Sequence, residues 1–433
     1  MKKYYIADIL NNNVPNIKNI EIYGWICANR KHKDVTFFKV EDSTGRIDLV
    51  VNNNLVSFQL NNEQSVYCTG VLSDDLKGNK LVEVGMIKLI GDVNCELSPG
   101  ARSNIDVFSE KNANKIVKNK HLYIRNQSFV GILKARNLVI EAVRSWFHEN
   151  GYCDVTAPIL TPILLYEKET GIEVSIKNQN VFLTQCVGFY LESAVHSLEK
   201  VYNIGPSFRG AESVSKRHLM EYWHIKSELA FCGFEEYFDV VEDLICYTTK
   251  YIKEHGGEEL ATMIGTTFCD DGMQTPFPRI SYDDVVLLLN EKGIGFQYGK
   301  SLNDKSEKFL SEYFGKPFWI TYKPKGIEGF PYRECKDNSN LTMTADLIAS
   351  KGLGEILGIA EKITDIDELR KRLEEKGKLY DEYKWFCDIR EYGTVQHCGL
   401  GMGLERYIRW LFNMNHVKDV IPFPRRINQK IYP

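Results

Sequence analysis

Arg209 and Arg217 flank the seven-residue stretch Gly210 to Lys216, and His218, Glu221 and Tyr222 follow in quick succession. An arginine presents a planar fork of donors that matches phosphate oxygens, and a tyrosine beside it can stack on a purine, so this set suits a nucleoside polyphosphate. On residue types alone, the commoner reading of such a hairpin is a solvated surface loop. Further along, Asp346 and Glu355 stand nine residues apart. Paired carboxylates are what a hard cation such as Mg²⁺ prefers, because they leave room for waters and phosphate oxygens; the spacing alone leaves these two unrelated. A third set is Gly399, Gly401 and Gly403 followed by Glu405 and Arg406. Alternate glycines let a strand lie close to a ligand, and the switch to an apolar helix puts Arg406 at a helix start, where phosphate is favoured.

These residues need scaffolding. Residues 200–231 read as strand, polar loop and returning strand, with Val201, Ile204 and Phe208 going out and Leu219, Tyr222, Trp223 and Ile225 coming back. Residues 1–100 hold five short strand patterns with turn punctuation, which fits a small closed barrel of the OB type. Phe37 or Phe38 could stack a base on the barrel face, and since the two point to opposite faces, one of them belongs to the core. Eleven Lys/Arg against twelve Asp/Glu in residues 1–100 give this barrel no electrostatic funnel. Residues 101–128 are polar and read as a hinge, and residues 129–433 as a second, larger domain. Its helical periodicities fall at Val130 to Asn150, Tyr237 to Glu254, Tyr282 to Lys292 and, as one charged amphipathic helix, Asp365 to Tyr383. The fold class expected is α+β.

At 433 residues, with 43% apolar and 26% charged residues, the chain can bury more than one core. A formal net charge of −4 argues against bulk nucleic-acid affinity, so any RNA contact must be local. No apolar run approaches the ~18 residues of a membrane span, and a soluble cytoplasmic protein is expected. Eleven cysteines without a C-x-x-C pair indicate neither a zinc ribbon nor a disulfide framework.

The order F-R-x(7)-R-H-L-x-E-Y resembles motif 2 of the class II aminoacyl-tRNA synthetases. The helix before Gly151 with the extended run to Pro158 is similar to motif 1, which in that family builds a dimer interface, and G-x-G-x-G-x-E-R is similar to motif 3. The Asp388-to-Tyr392 and Ile421-to-Arg425 flanks resemble the aspartyl/asparaginyl branch, closest to its asparaginyl members. The resemblance implies an OB-fold anticodon-binding-like domain, a class II catalytic domain with an antiparallel sheet flanked by helices, and a homodimer. The activity implied is ATP-dependent, Mg²⁺-assisted activation of asparagine or a related amino acid as aminoacyl-adenylate, with transfer to tRNA in protein biosynthesis. By the same resemblance Arg209 and Arg406 are the catalytic arginines; Arg209 holds the α-phosphate, and Arg217 and Arg406 hold the outer phosphates. Tyr222 stacks on adenine with His218 beside it, and Asp346 with Glu355 holds the metal of ATP.

The amino-acid pocket departs from the family pattern. Gln185 and Glu192 match the branch motif [ST]-Q-S-A-Q-L-Y-L-E, whose final Glu contacts the side-chain amide, but Gly188 replaces its second Gln. In F-R-A-E the acid moves from the place of Ala211 to Glu212. Lys362 stands for the Arg that grips the substrate side chain, and Glu328 stands for a Lys. In the barrel, Glu41 replaces an Arg and Asp48 a Gln on the face that meets RNA. Three readings follow: an asparaginyl-type synthetase, a paralogue that adenylates a non-standard amino acid for a small molecule or carrier, and a non-catalytic nucleic-acid-binding or regulatory paralogue.

Overall fold

Apolar residues alternate along five N-terminal strands, and the alternation is what closes them into a barrel around one apolar interior. The computed structural model describes residues 4–11, 13, 19–56, 59–93, 100–102, 105–211, 215–427 and 429–432. Strands β1 (Ile20–Lys31), β2 (Val35–Glu41), β3 (Arg46–Asn52), β4 (Ser65–Asp74) and β5 (Lys80–Gly91) pair in the order β1-β2-β3-β5-β4 and close. Ile22, Val40, Leu49, Val66 and Val82 fill the interior. Phe38 joins them, while Phe37 turns outward and packs edge-on against His32 at 5.5 Å.

Glu41 is not displayed on the barrel face. It is 2% exposed, accepts from Arg46 Nε at 2.9 Å and Gln127 Nε2 at 2.8 Å, and forms an ion pair with Arg102. Its charge is neutralised internally, so the expected acidic replacement on an RNA-facing surface holds only for Asp48, which is half-exposed and 3.5 Å from Lys39. The stretch read as a polar hinge carries two short helices, Ala113–Lys118 and Lys120–Tyr123. Ala101, Val107, Ile116, Tyr123 and Phe129 give it an apolar cluster of its own. The chain divides into two compact units, Met1–Val130 with Tyr432–Pro433, and Gly131–Ile431.

The second unit is built on an eight-stranded sheet. Its strands are β6 (Cys153–Asp154), β7 (Lys200–Phe208), β8 (Glu221–Ala230), β9 (Arg279–Ser281), β10 (Phe318–Thr321), β11 (Thr344–Ala349), β12 (Gly354–Glu361) and β13 (His397–Gly403), in the order β9-β10-β11-β12-β13-β8-β7-β6. The six central strands are antiparallel to their neighbours, and the edge strands β6 and β9 pair parallel. The expected antiparallel sheet is therefore mixed at its edges.

Long helices cover it. Helix α1 (Gln127–Glu149) runs where periodicity predicts, as does α3 (Phe234–Glu254), which buries Tyr237, Phe238, Val241, Leu244 and Ile245; between them lies α2 (Gly188–Leu198). The single charged helix expected over residues 365–383 is two, Ile366–Glu375 and Tyr380–Asp388. Gly377 adopts φ +64° and turns the chain there, a conformation that costs glycine little. The short α4 (Leu404–Leu411) follows β13 directly and carries Arg406 in its first turn.

Candidate active site

Strand β8 alternates, so Tyr222, His224, Lys226 and Glu228 share one face and run as a row beside β13. The glycines of β13 make the row possible. A Cβ at Gly399 would lie 2.3 Å from both Glu228 carboxylate oxygens, and one at Gly401 would lie 2.9 Å from Lys226 Nζ and 3.1 Å from His224 Nε2. The alternate glycines thus clear space for protein side chains as much as for a ligand. In front of this row opens a cavity of about 460 Å³.

The cavity gathers most of the residues that the sequence nominates. Arg209, Arg217, His218, Tyr222, Glu355 and Arg406 all line it, although β8, β12 and α4 lie far apart in the chain. Arg406 is 3.0 Å from Glu355 Oε2, and its Nη2 lies 3.2 Å from His218 Nε2. His218 reports the convergence. Burial, then the charges of Arg406, Arg209 and Arg217, hold its imidazole down at about 4, so it is neutral near pH 7. Burial would raise the Glu355 carboxyl, but Arg406, Lys323 and Arg217 outweigh it and hold it at about 2.

Arg217 reaches the cavity, but its fork is engaged by Glu307 and by Asp304 Oδ1 at 2.8 Å. Both acids come from the first turn of the helix Asp304–Phe314. Tyr222 is a cavity wall, its hydroxyl pushed up to about 12 by burial. An aromatic face stands there beside three cations, an arrangement that can sandwich a base and neutralise its phosphates.

Asp346 and Glu355 line the same cavity from β11 and β12. Burial and the Glu355 charge push the Asp346 carboxyl up to about 7 even though Lys323 Nζ sits 2.7 Å from its Oδ2. Two carboxyls facing the same space, one of them buried, are a donor set that a hard divalent cation fits. Among the described residues no cluster of three or more His, Cys, Asp or Glu forms a closed metal cage.

The polar end is organised around charge pairs. Lys362 Nζ lies 3.2 Å from Glu228 Oε1 and 3.6 Å from Glu192 Oε1. Glu192 is buried, paired with Arg390 and 3.4 Å from His397 Nε2, so the structure does not bring it to the wall of the main cavity. Burial would raise its carboxyl, but Arg390 and Lys362 keep it well below the usual range. Gly188 opens α2 behind this network, where a Cβ would meet Cys186 Sγ at 3.1 Å. Gln185 is on the wall; its Oε1 accepts from Tyr166 N at 3.0 Å and its Nε2 donates to Thr170 Oγ1 at 2.8 Å. Glu212 lies outside the described residues.

Glu328 is on the wall too, with Lys323 Nζ 2.5 Å from its Oε1. The change of sign at this position is therefore compensated, since Lys323 returns a positive charge to the same spot. Lys323, Glu307, Asp304, Lys226 and Glu228 were not singled out as site residues from sequence. The i, i+2 alternation from Tyr222 marks Lys226 and Glu228; Lys323 and Glu307 sit in a stretch without a motif.

Residues 112–427 match the family model described as tRNA synthetases class II (D, K and N), and residues 20–90 match that of the OB-fold nucleic acid binding domain. The asparagine–tRNA ligase of Thermoplasma acidophilum is 30% identical over 417 residues, covering 95% of this chain and 96% of the relative. That of Pyrococcus furiosus is 31% identical over 425 residues, with 96% of each covered. The crystal structure of asparaginyl-tRNA synthetase from Pyrococcus horikoshii complexed with asparaginyl-adenylate superposes with a TM-score of 0.92 at 30% identity, over 100% of both chains. A family model that spans the catalytic unit, relatives about 30% identical over nearly the whole chain and a solved structure of the same fold agree: this chain belongs to the class II tRNA synthetases of the D, K and N group.

Proposed function

We propose that this protein activates asparagine with ATP as asparaginyl-adenylate and transfers the aminoacyl group to tRNA. The observation that carries this is the meeting of Arg209, Arg217 and Arg406 around His218, beside Tyr222 and two carboxylates, in one cavity. The end-to-end likeness to a structure holding asparaginyl-adenylate favours it over the paralogue readings.

The chemistry asks for position and charge. The amino-acid carboxylate attacks the α-phosphorus of ATP, a C–O–P anhydride forms, and the bond to pyrophosphate breaks; the nucleophile is already ionised, so no protein base is required. Arg209, exposed at the cavity mouth, neutralises the α-phosphate, and Arg406, fixed by Glu355 and His218, does so for the outer phosphates. Arg217 joins them once its fork turns from Glu307 and Asp304. A neutral His218 leaves the cation count to the arginines. Asp346 and Glu355 would hold Mg²⁺, which when bound supplies charge neutralisation to phosphate oxygens. Gln185, Glu328 and Lys362 shape the amino-acid end, with Gly188 and Glu192 behind it.

The barrel is proposed as the tRNA contact, with Phe37 its outward aromatic. The α1 region is proposed as a homodimer interface, which light scattering tests. A cytoplasmic setting is in keeping with ten described cysteines that are all free thiols, and no helix among the described residues is long and apolar enough to cross a membrane. The deciding experiment is ATP–pyrophosphate exchange with each standard amino acid, followed by charging of tRNA transcripts. Exchange with asparagine and charging of its tRNA are expected; exchange without charging points to the small-molecule paralogue.

A further inference from the structure

Lys226 is 6% exposed and lines the cavity, and its ammonium makes no hydrogen bond or ion pair among the described residues. Its stem passes Gly188, where a Cβ would meet Lys226 Cε at 3.7 Å, and its ammonium lies against Gly401, where a Cβ would meet Nζ at 2.9 Å. Glycine at both positions leaves the side chain room to reach the cavity. Neighbouring acids are already committed: Glu228 to Lys362 at 3.2 Å, Glu328 and Asp346 to Lys323 at 2.5 and 2.7 Å. Burying an ammonium without a counter-charge is costly, and a fold keeps one where a negative group arrives.

Its place in the row says which group. Tyr222 and His218 mark the nucleotide end, where the three arginines act together on His218. Beyond Lys226 in the row comes Glu228, and Lys226 also lines a small recess together with Gly188, Glu192 and Lys362, which the arginines do not line. Lys226 therefore stands past the phosphate cations, on the side of the amino-acid end.

We propose that Lys226 binds a carboxylate of the amino-acid substrate through its ammonium group. This rests on the adenylation reading for its meaning, but not for its test. Two carboxylates could be met: the α-carboxylate that attacks ATP, or the side-chain carboxylate of an acidic amino acid. In either case no proton is transferred; the lysine stays charged and lowers the cost of burying the anion.

The test is calorimetric titration of asparagine and of aspartate into the whole protein, as wild type, Lys226→Met and Lys226→Arg, with KM for ATP and for amino acid measured by pyrophosphate exchange. Lys226→Met is expected to weaken amino-acid binding about tenfold or more, the loss of one charge-assisted contact, with Lys226→Arg recovering part of it. The KM for ATP is expected to move less than about twofold and the thermal midpoint not to fall, since no internal ion pair is lost. An equal loss for both ligands assigns the α-carboxylate; a loss confined to aspartate assigns the side-chain carboxylate. Unchanged amino-acid affinity, a KM for ATP that rises as much as that for amino acid, or a lowered midpoint with unchanged affinity overturns the proposal. So does a wild type that binds none of the twenty standard amino acids. Binding without exchange would leave Lys226 standing and remove the adenylation reading instead.

Discussion

The Arg406 guanidinium lies 3.0 Å from Glu355 Oε2 and 3.2 Å from His218 Nε2, so one arginine ties β12 to the segment after the motif 2 turn. Its fork is held in place by protein groups on two sides, which is how a flexible side chain is set in advance for a phosphate. Arg406→Ala is expected to lower kcat/KM for pyrophosphate exchange by about 10²–10³, the scale for losing one oriented donor to developing charge. Arg406→Met should also raise the His218 pKa, measured by NMR titration, because after burial Arg406 is the largest cause of its depression.

His218 makes stability depend on pH. Its folded pKa of about 4 lies below its ordinary value of 6.5, so the unfolded chain takes up the proton first. The stability tied to the neutral ring is present above about pH 6.5 and is lost as pH falls through about 4. A His218→Asn variant should lose less on that path, its midpoint falling by roughly 2 °C less than wild type between pH 7 and 4.5 in thermal scans. Parallel curves for the two proteins would refute the assignment.

The β13 glycines should differ in what their replacement damages. Gly399→Ala drives a methyl into the buried Glu228 carboxylate and should cost about 1–3 kcal/mol in chemical denaturation, the range for overpacking. Gly401→Ala meets the ends of Lys226 and His224, which can swing into the cavity, so activity should fall more than stability.

Glu192 anchors a buried charge network with Arg390, Lys362 and His397. Glu192→Leu strands Arg390, while Lys362 keeps Glu228, and should destabilise by about 3–5 kcal/mol, whereas the double variant Glu192→Leu with Arg390→Leu should recover part of that loss. A double-mutant cycle by urea unfolding measures the coupling.

In the barrel, Asp48→Asn removes a half-exposed anion beside Lys39, and Glu41→Gln removes a buried one held by Arg46 and Arg102. The first should tighten tRNA binding a few-fold at low salt, because phosphate neutralisation sets that affinity. The second should act on barrel stability and leave the salt slope unchanged, as read by filter binding across a salt series.

Much of this protein was legible before folding. The alternation of Ile20 to Val84 determined a barrel and the spacing of Leu133 to Phe147 determined a helix, because each is a property of side chains within a few residues of one another, and the motif order around Arg209, Arg217 and Arg406 pointed to phosphate chemistry by resemblance. Tertiary structure alone decided where charge is left over. It buried Glu41 under Arg102, gave Lys323 to both Asp346 and Glu328, set Glu307 against Arg217, and left the Lys226 ammonium without an ion pair among the described residues. Those partners come from strands and helices up to about a hundred residues apart, and in a low-dielectric interior a charge is defined by whichever opposite charge the fold brings within reach.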